Sequence, residues 1–161
     1  MRWTKELFVI RVNKKPGPTG PYYLRVVKNL VMKLTGEQFL VVEDTCGKQS
    51  RDYVDTFAPA PFQPGGLVWW KNPTTLEFIQ KKQLRALAAD KPDLAKQLEE
   101  SCVESLGELR KSIRDCGEGP FRIHDVLPFP GGGAVLQVEL PDGIAELADD
   151  LVVSAETAVV N

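Results

Sequence analysis

Apolar positions recur at helical spacing in one region, from Asn72 to Cys116, and the other segments are placed most easily around it. Leu76, Ile79, Leu84 and Leu87 fall at roughly helical intervals, and Thr74 followed three residues on by Glu77 matches a capping box. Leu94, Leu98, Cys102, Leu106, Leu109 and Ile113 follow at steps of four, four, four, three and four, which is one apolar stripe. The second helix is expected to start near Asp90, with Pro92 tolerated in its first turn and Asp93 favoured there by the dipole. Arg110, Lys111 and Arg114 occupy its last turns, and Gly117 is placed to cap it. The pattern predicts a helical hairpin with one face to bury.

The flanking segments read as strands. Glu6 to Val12 is apolar on both faces around Leu7–Ile10, which predicts a strand inside a sheet rather than at its edge. Lys14 to Pro21 holds three prolines and two glycines and must be a loop. Tyr22 to Leu34 carries both signals: Leu24, Val27, Val31 and Leu34 suit a helix, while the Tyr-Tyr and Val-Val pairs suit a strand. A strand broken near Asn29 is preferred, because Thr35-Gly36-Glu37 then turns the chain into Phe39–Val42. Arg51–Phe57 and Leu67–Trp70 are further strands, separated by the proline-rich link Ala58–Gly66. Past the helices, Phe121–Phe129 and Ala134–Leu140 flank Pro130-Gly131-Gly132-Gly133 and predict a β-hairpin. Ile144–Asp150 reads as one or two helical turns, and Leu151–Val160 as a final strand or a tail.

These elements predict an α+β fold. Residues 1–71 form an N-terminal antiparallel β-meander, either a small open barrel or a twisted sheet, covered by the helical hairpin of residues 72–117. Residues 118–161 add a C-terminal β-hairpin and an acidic tail, and the three segments make one compact domain.

Composition changes this picture little. Hydrophobic residues are 43% and charged residues 26% of the 161, ordinary for a folded chain. The charge distribution is more informative than the net value of −2. Residues 1–35 hold eight basic side chains against Glu6 alone, whereas residues 134–161 hold six acidic ones and no Lys or Arg. Either the two ends neutralise each other or the basic end meets an anionic partner. Cys102 and Cys116 are separated by about 21 Å on one continuous helix, too far for a disulfide. That separation, the odd count with Cys46 and the absence of a secretory leader point to a reduced, cytoplasmic setting. No apolar run is long enough to span a membrane, so no membrane association is expected.

The chemistry-bearing residues are few. His124 is the one histidine, and its neighbour Asp125 points to the opposite face of a strand, so the pair is a poor catalytic couple. A Cys116–His124 dyad across the Gly117–Pro120 turn is the one nucleophilic arrangement that the spacing allows. No metal site is expected, since Cys and His are scattered and Asp142, Asp149 and Asp150 lack the grammar of a calcium loop. Gly131–Gly133 lacks the Lys-Ser/Thr of a phosphate loop and reads as a hairpin tip. No cofactor is implied.

Binding chemistry is better represented. Lys14, Lys15, Tyr23, Arg25 and Lys28 combine cations with a stacking ring and suit a nucleic-acid strand. Against that, the sequence pI of about 5.5 is low for a dedicated nucleic-acid binder. Trp69 and Trp70, adjacent in a strand, send one ring to each face. Either both are buried, or one stands open beside the link that carries Pro61 and Pro64. Glu99, Glu100 and Arg110 on the second helix offer a further contact surface. The expectation is a non-catalytic adaptor acting through a protein partner, with homo-oligomers compatible. A nucleic-acid module is the alternative and a small cysteine enzyme the second alternative.

Overall fold

The computed structural model describes residues 7–155. In chain order the strands are β1 (Phe8–Arg11), β2 (Leu24–Val31), β3 (Gln38–Glu43), β4 (Gln49–Tyr53), β5 (Phe57–Pro59) and β6 (Leu67–Trp70). Helices α1 (Pro73–Asp90) and α2 (Pro92–Cys116) follow, then β7 (Phe121–Pro128), β8 (Ala134–Leu140), β9 (Gly143–Ala148) and β10 (Val152–Ser154). The predicted α+β architecture is present, built among the described residues on two five-stranded antiparallel sheets, neither closed into a barrel.

The first sheet runs β4-β3-β2-β1-β5. It is a meander through β4, after which the short β5 returns to the far side of β1. That return makes β1 an internal strand, as its two apolar faces require. Phe8 and Val9 are both buried but belong to different core clusters, one on each side of the strand. The irregularity in β2 falls between Val26 and Lys28 rather than at Asn29. Gln63, from the proline-rich link, completes the β1 edge. Its amide accepts from the Phe8 N–H at 2.8 Å and donates to the Phe8 carbonyl at 2.6 Å, as a peptide group of a neighbouring strand would.

The second sheet runs β10-β6-β7-β8-β9. β6, expected to end the meander, pairs instead with β7 and β10. Residues 143–148 are a strand and not helical turns; they pair in unbroken register with β8, from Leu140↔Gly143 to Val135↔Ala148. Ladder hydrogen bonds with a neighbour outweigh the local helix preference of Ala, Glu and Leu. The larger core gathers Phe8 of β1 and Tyr23 just before β2, Val68, Ile123, Leu136 and Val138 of the second sheet, and Leu109 from α2. A fully buried aliphatic chain contributes about 1.5–3 kcal/mol.

Asn72, rather than Thr74, is the N-cap of α1. Its side chain accepts from the N–H groups of Thr74 and Thr75, and Pro73 takes the first helical position. Glu77 is thereby free to pair with Lys81 one turn further along α1 at 3.2 Å and, across the hairpin, with Arg110 at 3.1 Å. Gly117 ends α2 with φ of 92°, its N–H bonding to the Ile113 carbonyl.

The cover that the hairpin provides is local to its base. Leu76, Leu109, Ile113 and Cys116 join the larger core, whereas α1 contains no fully buried residue. Along the α2 stripe, Leu106 and Leu109 are buried but Leu94 and Leu98, nearer the tip, are exposed. The two helices pack on each other and project beyond the sheets.

Candidate functional site

Trp69 and Trp70 divide as adjacent strand residues must. Trp70 turns inward, packs edge-on against Phe121 with ring centroids 5.5 Å apart, and donates its indole N–H to the Gly117 carbonyl at 2.6 Å. Trp69 turns outward and stays 41% exposed, since the hairpin leaves that sheet face open. Leu67, two residues earlier in β6, is exposed on the same face. The ladder places Val153 of β10 opposite Trp69 and Arg122 of β7 opposite Leu67.

Leu67 also borders a cleft of about 560 Å³, walled by Pro59–Gln63 of the link, Ile123 and the β10 residue Ser154. Pro61 lines this cleft; Pro64 is exposed beside it. The Gln63–Phe8 hydrogen bonds hold the link in place. An outward indole, an exposed leucine and a preformed, largely apolar cleft thus adjoin at one edge of the second sheet. The cleft was not legible in the sequence, because Ser154 and Ile123 reach it only through strand pairing.

Glu99, Glu100 and Arg110 are exposed on α2. Arg110 is engaged with Glu77, whose carboxyl is held below its ordinary value by hydrogen bonds from Lys81 and Arg110 and by their charges. Glu99 borders a shallow surface with Lys81, Arg85 and Lys96, a mixed-charge flank of the hairpin.

The five residues of the nucleic-acid reading do not converge. Tyr23 is 3% exposed and lies in the core, edge-on to Phe8 at 6.2 Å, so its ring offers no stacking face. Its hydroxyl is buried without a hydrogen-bond partner among the described residues. Lys14 lies over the Tyr22 ring at 4.3 Å, in a cleft shared with Arg11 and Lys48. Arg25 borders a different cleft, beside Glu43, Asp44 and Asp125. Lys15 and Lys28 are exposed. Arg11 is held by Asp52 at 3.0 Å, and among the described residues no ion pair joins the basic N-terminal segment to the acidic C-terminal one.

The Cys116–His124 couple gains no support. Burial, then the charges of Asp115 and Asp142, push the Cys116 thiol up, away from the reactive thiolate. His124 is exposed, and its Nδ1 lies 3.8 Å from the Glu139 carboxylate across the β7–β8 ladder, a neighbour that linear spacing did not reveal. Asp125 accepts from the Val126 backbone N–H instead. Among the described residues no group of three or more His, Cys, Asp or Glu is arranged to hold a metal ion.

The glycine-rich tip is a fastener between loops. Gly133 donates its N–H to the Pro21 carbonyl at 2.7 Å, and the Thr19 hydroxyl donates to the Gly132 carbonyl at 2.6 Å. Gly132 donates to Phe129 at 3.1 Å, so two of the three amides that a phosphate would need are already committed. The Asp149 carboxylate fixes the start of β8 through the Ala134 N–H at 3.0 Å, and burial raises its pKa.

No described helix is long and apolar enough to cross a membrane. Compared with known proteins, the chain matches no family model, no curated protein and no solved structure.

Proposed function

We propose that this protein is a non-catalytic adaptor that binds a protein partner through the edge of the second sheet. Trp69 is the anchor, Leu67 extends the apolar contact, and the cleft walled by Pro61 receives an extended segment of the partner. The observation that carries this reading is the uncovered Trp69 ring beside a preformed cleft. Tryptophan at an interface supplies a large apolar area at little entropic cost, and such residues dominate binding energies. A mixed rim of Arg122 and Pro64 suits a contact that is apolar at its centre and wet at its edge. The same geometry favours this reading over nucleic acid, because Tyr23 is in the core and Lys14 and Arg25 border separate clefts.

The test is panning of a random peptide library on the full chain and on Trp69→Ala. Apolar or proline-containing peptides enriched by the native chain should lose about tenfold or more in affinity for the variant. Enriched peptides that bind both chains equally, or selective capture of labelled single-stranded nucleic acid by the native chain, would overturn the reading.

A further inference from the structure

We infer that the projecting helical hairpin is a self-association device, in which one uncharged flank packs on the same flank of a second copy to form a four-helix bundle. The Glu77–Arg110 ion pair marks one flank of the hairpin. Successive helix residues turn by about 100°, so the opposite flank is formed by Ile79, Gln83 and Ala86 of α1 with Leu94, Leu98 and Ser101 of α2. Ile79, Leu94 and Leu98 on it are 46%, 47% and 37% exposed.

Between Ile79 and Leu87, and between Leu94 and Ser105, this flank carries no Lys, Arg, Asp or Glu; Asp90 bounds it at the tip, and Glu108, level with Ile79, bounds it at the base. The other flank is crowded with charge, including Lys81, Lys96 and Glu99. Depletion of charge over an exposed apolar strip is the mark of an interface centre.

The charges at the rim identify the occupant. Lys82 lies on the outer edge of α1, and Glu104 lies on the outer edge of α2 at nearly the same height, as the Glu77–Arg110 pairing sets the level of the two helices. A twofold axis along the hairpin lays α1 of one copy over α2 of the other. Each Lys82 then faces the other copy's Glu104, twice per dimer. Pairs at such edge positions set partner choice and orientation in helical bundles. A second copy is therefore complementary both at the uncharged centre and at the charged rim.

The experiment is sedimentation equilibrium of the full chain with Leu98→Glu, Lys82→Glu, Glu104→Lys and the Lys82→Glu/Glu104→Lys double variant. The native chain should show twice the 17.9 kDa monomer mass at micromolar concentration, and Leu98→Glu should be monomeric. Each single charge reversal should weaken dimerisation on the order of tenfold, with recovery in the double variant. A native monomer, or a dimer indifferent to these changes, overturns the inference, and so does a double variant that fails to recover. The charge-swap pair lies on the hairpin surface and tests the inference even if Leu98→Glu misfolds. Trp69→Ala leaves the mass unchanged, which keeps this outcome separate from that of partner binding.

Discussion

The Trp70 indole N–H donates to the carbonyl of Gly117 at 2.6 Å. Trp70 is the last residue of β6 and Gly117 ends α2, so one hydrogen bond ties the exit of the hairpin to its entrance. The same ring packs edge-on against Phe121, at the start of β7. Trp70→Phe keeps an aromatic ring on Phe121 and removes the donor. The expected cost is about 1 kcal/mol of stability in urea unfolding; an unchanged midpoint would show that the bond contributes nothing.

Gly132→Ala should be more harmful. Gly132 is at φ of 103°, and a β-carbon there would collide with the carbonyl of Gly20. The substitution therefore strains the turn and forces apart the two loops joined by Thr19 and Gly133. A loss of about 2–3 kcal/mol is expected. Gly36→Ala is the control, since its φ is also positive but open space surrounds it. Equal losses in the two variants would show that the loop fastening adds nothing beyond backbone strain.

Tyr23→Phe should be neutral or stabilising by up to about 1 kcal/mol, because it removes a buried hydroxyl with no partner among the described residues. Burial, and then the Asp149 charge, push the Tyr23 pKa well above its ordinary value. Above about pH 10 the unfolded chain therefore loses this proton while the folded chain keeps it, and stability falls as pH rises. The decline between pH 10 and 11 should be shallower for Tyr23→Phe. Parallel native and variant curves would place the alkaline sensitivity elsewhere.

Cys116 should react with iodoacetamide more slowly than a free thiol at pH 7.5. Its pKa is raised by burial and by two carboxylates, so little thiolate is present at that pH. Reaction at or above the rate of a model thiol would return the cysteine-enzyme reading to consideration.

Much of the chain obeyed local rules that are written in sequence. Pro92 in the first turn of the second helix, Gly117 past its end and the turn residues of both β-hairpins act within a few residues, and these elements stand close to where those signals placed them. The two apolar faces of β1 were likewise enough to make it an internal strand. By contrast, residues 143–148 favour helix by local composition and became β9 only because β8 offered a partner edge. Thr74 and Glu77 spelled a capping box, yet Asn72 two positions earlier had the better geometry and released Glu77 for Arg110.

The candidate sites divide in the same way. That two adjacent tryptophans must point to opposite faces of a strand follows from the strand repeat alone. Which one faces outward, and that it stays uncovered, depended on where the hairpin came to rest. Tyr23 reads as a stacking ring in the sequence and became core, because the two sheets enclose it with Phe8. Leu94 and Leu98 read as core and became surface, because the apolar stripe of α2 outruns the body that covers its base. Periodicity states that a face is apolar. Only the long-range packing of the sheets decided what, if anything, lies against it.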